Sequence, residues 1–392
     1  MTELVRLMKK IIFSGILFPL RIVPVKRNRV LLLNELALKY SGNPKYVAEY
    51  LLTEYPNKFQ LVIPVKKPKQ YEKINSKEIR FIKFNSPQYF FYGMTSKVFL
   101  TNSGGFSYIP LRKKQYVINT WHGGGAYKTA GTDMYEDTPL FRFDLFLSSS
   151  KTNAFLSTNR RFSDELSRAM LVPRKRFWEI GMPRNDMLIH PDDSVRARIR
   201  NQIGIKKDEK LVLFAPTYRK TEDNYYKDSI SIAYGLDGKK VREAFEKRFG
   251  GTWVLGYRLH PCIVNRDEYR IEDAIDLTDY EEMQELLLAS DAMINDFSST
   301  LWDYLHTGKP CFMYAADMEQ YIKTTEVYTP VDRWPFPKAV SNDELIDNIL
   351  TFDEKKYEDD CNEHYRELGG CETGKATELV CRRIYKVCFE RS

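Results

Sequence analysis

Along this chain short apolar runs alternate with stretches whose apolar side chains fall three or four positions apart. Residues 30–33 form the first run, apolar on both faces, and read as a buried strand. Pro44 at a first helical turn, followed by Tyr46, Val47, Tyr50 and Leu51, predicts an amphipathic helix. Residues 61–65, 80–82, 98–101 and 116–118 follow as short strands with helical or loop material between them. Such alternation predicts a parallel sheet covered by helices. The pattern continues with a strand at 145–148, a polar-faced helix at 160–168, and a strand that runs into two breakers, Gly181 and Pro183.

After a helix at 194–203 and the polar run 206–210, a second series begins. Strands are expected at 211–214, 253–257, 292–294 and 311–314, with helices at 241–248, around Met283, Leu286 and Leu287, and around Leu301, Tyr304 and Leu305. Gly308 and Pro310 end the last of these helices. A basic helix at 375–386 closes the chain. The expected fold is α/β with two Rossmann-like domains. The expected divisions are an N-terminal segment 1–28, a domain 29–200, a domain 201–375 and a closing helix 376–392. A length of 392 residues is itself long for one core.

Composition changes this picture little. Apolar residues make up 43% and charged residues 29%, as in ordinary globular domains, and 25 Tyr with 23 Phe suffice for two cores. The net charge of +7 is a mild excess. It suits an anionic membrane surface or a phosphorylated substrate better than duplex DNA. No basic stripe with interleaved aromatics occurs, so a nucleic-acid partner is not expected. The six cysteines include no CxxC pair, and are expected as reduced thiols in a cytoplasmic protein. An oxidised bridge among the last four is the alternative. No metal-ligand spacing is present, and GxxxxGK[ST], GxGxxG and GxSxG are all missing.

The N-terminal segment stands apart. Arg6, Lys9 and Lys10 precede the apolar run 11–20, and Arg21, Lys26, Arg27 and Arg29 follow it. Ten residues cannot span a bilayer, which takes ~20. Leu4, Leu7, Met8, Ile11 and Ile12 have helical spacing, so the segment can lie in the headgroup plane. Packing on the protein's own core is the competing reading; peripheral membrane contact is the expectation.

Candidate chemistry lies at the ends of strands. Residues 116–118 run into Asn119-Thr120-Trp121-His122-Gly123-Gly124-Gly125. In an open α/β sheet ligands sit at the carboxyl ends of strands, which sets His122 beside amides able to face an anion. Taken alone, the motif is equally a Gly-rich turn with a locally bonded histidine. Asp296-Phe297-Ser298-Ser299-Thr300 opens a helix, and three consecutive hydroxyl residues exceed what a cap needs. Arg258 and His260 in Arg258-Leu259-His260-Pro261 fall on one side of an extended backbone. A guanidinium with an imidazole suits a phosphate losing a leaving group. A surface arginine with a core histidine is the plainer reading of that pair.

In order and spacing, residues 120–123, 181–186, 215–219, 258–261 and 295–299 resemble the CDP-glycerol glycerophosphotransferase family, which builds poly(glycerol phosphate) of teichoic acids and related polymers. The resemblance implies a GT-B architecture, with two Rossmann-like domains facing across a cleft. It implies an acceptor domain first and a nucleotide domain second. It implies no cofactor and a CDP-glycerol donor. The acceptor would be a lipid-linked glycan or glycerol phosphate at the cytoplasmic face of the membrane. His122 matches the essential histidine of the family's WHG motif, and His260 the second histidine, in RxHP. Ser298 and Ser299 match phosphate-holding serines, and Asp303 with Tyr304 the DY pair. Catalysis is thus expected at His122 and His260. Substrate or phosphate contacts are expected at Gly123, Gly124, Arg184, Thr217, Arg219, Arg258, Asp296, Ser298, Ser299, Thr300 and Asp303. Two features depart from the family: three glycines follow His122, and the N-terminus is short. The second favours a primase or single-transfer role. CDP-ribitol in place of CDP-glycerol, or a nucleotide-sugar glycosyltransferase, are the alternatives.

Overall fold

The computed structural model describes residues 3–34, 37–103, 106, 108–125, 127–135, 137–217, 235–260 and 270–390. The chain forms two compact units, Met1–Asp186 with Gly369–Ser392, and Met187–Leu368. The first unit therefore ends at Asp186, and the chain re-enters it at Gly369.

Among the described residues the first unit holds seven strands: β1 (Lys26–Leu33), β2 (Gln60–Val65), β3 (Ile79–Lys83), β4 (Ser96–Thr101), β5 (Tyr116–Asn119), β6 (Ala154–Ser157) and β7 (Phe177–Glu179). Their order is β3-β2-β1-β4-β5-β6-β7, with every pairing parallel. Central β1 is apolar on both faces because both are covered. Val30 and Leu32 join a cluster with Val47, Leu51, Val380 and Ile384, while Leu31 and Leu33 join one with Tyr89, Met94 and Ile109. The closing helix Ala376–Phe389 thus completes the core of the first unit. Asp186 fixes its start, accepting the N–H groups of Ala376 and Thr377 at 3.0 and 2.7 Å. A carboxylate there also complements the positive end of the helix dipole.

Residues 145–148 are not a strand. They belong to the helix Pro139–Ser149. Thr138 caps it by accepting the N–H of Phe141 at 3.0 Å, and Pro139 takes the first turn. These start signals act upstream of the apolar triplet and carry it into the helix. The helix is inside out. Asp144 and Ser149 are buried, whereas Leu140, Phe143 and Phe146 are 41%, 48% and 52% exposed. Asp144 is paired at 2.6 Å with Lys10 of the helix Glu3–Leu17. That helix buries Leu7 and Leu17 but exposes Leu4, Met8, Ile11, Ile12 and Ile16. Among the described residues no helix is long and apolar enough to cross a membrane.

The second unit holds β8 (Glu209–Phe214), β9 (Thr252–Tyr257), β10 (Ala274–Asp276), β11 (Ala292–Asn295), β12 (Cys311–Tyr314) and β13 (Lys338–Ala339). The order is β10-β9-β8-β11-β12-β13, again all parallel. Strand order reverses between β8 and β11, as it does between β1 and β4 in the first unit. Loops leaving such a reversal part to opposite sides and open a crevice at the strands' carboxyl ends. The five cysteines among the described residues carry free thiols, four of them buried; Cys262 lies outside the described residues.

Candidate active site

In the first unit the His122 loop leaves the end of β5, one strand beyond the reversal between β1 and β4. Trp121 has φ +54°, a left-handed conformation that costs a bulky residue about 1–2 kcal/mol. Its N–H is taken by the Asn119 carboxamide at 2.8 Å, and its ring stacks on the His122 imidazole with centroids 4.5 Å apart. His122 is half-buried, and its Nδ1 lies 2.8 Å from the carbonyl oxygen of Asn102. A carbonyl only accepts, so Nδ1 carries the proton and the ring's lone pair sits on Nε2. Of the three glycines, Gly125 alone has positive φ, +74°, and a Cβ there would meet the Tyr127 ring at 1.8 Å. Gly123 and Gly124 do not use left-handed backbone.

Arg184, expected as a phosphate contact, is buried, and its Nη1 donates to the His122 carbonyl at 2.9 Å. The segment 181–186 is held from behind by Glu372. That carboxylate accepts the N–H of Met182 at 3.0 Å and the Asn185 amide at 2.8 Å. Gly181, at φ +87°, passes so close to Glu372 that a Cβ would stand 1.9 Å from the carboxylate. No motif in the sequence marked Asn102 or Glu372. A signal existed for Asn102: it follows the last residue of β4, and the end of a central parallel strand is where polar side chains serve a site.

In the second unit the expected residues gather at the ends of β8, β9 and β11, three neighbouring strands. Asp296 spans the strand-order reversal, its fully buried Oδ1 accepting the N–H of Thr217 at 2.9 Å. Asn295 donates to the Thr300 hydroxyl at 2.6 Å, and Thr300 donates to the Ser298 hydroxyl at 3.0 Å. The helix itself begins at Thr300, with Ser299 at its N-cap making no side-chain cap bond. Ser298, Ser299 and Thr300 are all half-buried. Asp303 is fully buried and accepts the Gln284 amide at 2.9 Å, an internal contact. His260 is half-buried beyond β9. The Arg258 guanidinium turns to the carbonyls of Tyr280 and Glu281, at 3.1 and 3.3 Å. Burial lowers its pKa, with Glu282 opposing, and its Nε has no hydrogen-bond partner among the described residues. Arg219 lies outside the described residues. Among the described residues no group of His, Cys, Asp and Glu could hold a metal ion.

Two doubly wound parallel sheets, one ending in a histidine loop and the other in a hydroxyl-rich turn at its reversal, give the chain a fold of the GT-B-like class. A family model described as CDP-glycerol:poly(glycerophosphate) glycerophosphotransferase matches residues 17–386, and the chain belongs to that family. A teichoic acid poly(glycerol phosphate) polymerase of Bacillus spizizenii is 27% identical over 88% of this chain and 89% of its own. One of the same description from Staphylococcus epidermidis is also 27% identical over 88% of this chain, which spans only 49% of that relative. The solved wall teichoic acid polymerase TagF shares the fold with a TM-score of 0.81 and 23% identity, over 99% of this chain and 97% of that one. Transfer of glycerol phosphate from CDP-glycerol in teichoic-acid synthesis is the chemistry of the family, and this chain is a transferase of that kind.

Proposed function

We propose that the chain transfers glycerol phosphate to a hydroxyl of a lipid-linked glycan or glycerol-phosphate acceptor, with His122 as general base. A hydroxyl is a poor nucleophile at neutral pH and needs a positioned base. In the proposed step Nε2 takes the acceptor's proton as the acceptor oxygen bonds to the β-phosphorus of CDP-glycerol. The bond from that phosphorus to the bridging oxygen breaks, and CMP leaves with the bridging oxygen and the growing negative charge. Arg258, His260 and the hydroxyls of Ser298, Ser299 and Thr300 stabilise that charge. Thr217 and Asp296 shape the donor-binding loop, and the amides of Gly123 and Gly124 face the transferred group. The observation that carries this reading is the bond between His122 Nδ1 and the Asn102 carbonyl, which sets the tautomer a base requires. His122→Ala should lower CMP release by ~10²–10⁴-fold with CMP affinity unchanged. Near-normal turnover in a folded variant removes the assignment. Running the same assay with CDP-glycerol, CDP-ribitol and a nucleotide sugar distinguishes the donors.

The acceptor reading calls for work at a membrane surface. The proposed attachment is peripheral, at the cytoplasmic face. Its support is the pair of inverted helices, Glu3–Leu17 and Pro139–Ser149, which turn an ion pair inward and apolar side chains outward. Lys9 and Arg21 flank the apolar surface and suit anionic headgroups.

A further inference from the structure

We propose that Asn43 and Arg184 are positioning residues that clasp the His122 loop and hold its imidazole in the working orientation; this rests on the reading of His122 as the base. The loop must be held. Trp121 occupies a left-handed conformation, and His122 follows immediately. Backbone of this kind persists only where its surroundings over-determine it. Two successive carbonyls are gripped. The Asn43 amide donates to the Trp121 carbonyl at 3.3 Å, and the Arg184 guanidinium donates to the His122 carbonyl at 2.9 Å. The two grips are joined, because the Asn43 Oδ1 accepts the N–H of Arg184 at 3.0 Å.

Asn43 is 1% exposed and spends both ends of its carboxamide on this bridge. It stands in the first turn of the helix Gly42–Glu54, which packs beneath the sheet through Val47 and Leu51. Arg184 stands on the segment pinned by Glu372. The loop is thus suspended between two anchored elements, while Asn102 sets the tautomer from a third side. Asn102 is in turn the donor in a hydrogen bond to the Asn34 carboxamide, at the end of β1. A base misplaced by about 1 Å loses on the order of 100-fold in rate, so the clasp acts on turnover and leaves donor binding alone.

The test is a cycle of Asn43→Ala, His122→Ala and the double variant, each assayed for kcat, for KM with CDP-glycerol and for melting temperature. Asn43→Ala is expected to lower kcat about 100-fold with KM little changed. In the His122→Ala background the same substitution is expected to cost less than about twofold, since groups that act as one unit are not additive. Asn43→Asp keeps the acceptor for the Arg184 N–H and loses the donor to Trp121. It should lower kcat as Asn43→Ala does, and it carries the test if the alanine variant fails to fold. Arg184→Ala should lower kcat at constant KM. A rise in KM with kcat preserved would make Arg184 a substrate contact and overturn the clasp. So would wild-type kcat in the Asn43 variants, or an Asn43→Ala loss repeated in full without His122. Near-normal turnover of His122→Ala alone overturns the base assignment and this inference together, a result distinct from the others.

Discussion

Three consecutive hydroxyls at 298–300 exceed the needs of a cap; Ser299 makes no side-chain cap bond, while the Ser298 hydroxyl accepts the N–H of Thr300 at 3.4 Å. If both bind phosphate, Ser298→Ala with Ser299→Ala weakens CMP and CDP-glycerol together. Each hydrogen bond to a charged group is worth ~1.5–3 kcal/mol. Calorimetry showing unchanged CMP affinity would leave them as part of the turn. His306 makes a different prediction. Burial lowers its pKa from 6.5 to about 4. Between those values the unfolded chain binds a proton that the folded chain refuses, so stability falls as pH drops from 6.5 toward 4. His306→Gln should flatten that slope, read as melting temperature at pH 7 against pH 4.5; parallel slopes would refute it.

At the scale of elements, the pattern of apolar positions located most strands within a residue or two. It failed at 145–148, where an apolar triplet imitates a buried strand. A strand's apolar run is apolar because both faces are covered. The helix Pro139–Ser149 has the same composition for the opposite reason, with Phe143 and Phe146 turned to solvent and Asp144 turned inward. Phe143→Gln with Phe146→Gln should therefore leave the melting temperature unchanged and release the protein from anionic vesicles. Vesicle sedimentation at low and high salt measures it. Undiminished sedimentation would detach these side chains from membrane binding, and a large loss of stability would mean that they pack on protein.

At the scale of the molecule, the chain leaves its first unit at Asp186 and returns to it at Gly369. Ile384 of the returning helix is fully buried among Val30, Val47 and Leu100. Ile384→Ala should destabilise the first unit by about 2–5 kcal/mol, the usual range for emptying a core site. Denaturant unfolding followed through Trp121 and Trp178, the tryptophans of that unit, reads the shift. An unchanged midpoint would show that the helix adds nothing to that core. The sequence by itself determined the alternation of strands and helices, the two series, and the polar strand ends where His122, Thr217 and Asp296 stand. All of these are local, since the period of the side chains and the breakers after them are written within a few residues. Tertiary structure alone decided that the last helix belongs to the first core, that Arg184 holds the His122 carbonyl, and that Asn43 and Asn102 serve the same loop. The contacts of the loop join residues 20 to 141 positions apart, and Cys381 of the last helix stands 334 positions from the Val47 carbonyl it meets. Pairings at such separations are set by strand order and helix packing, and no local period records them.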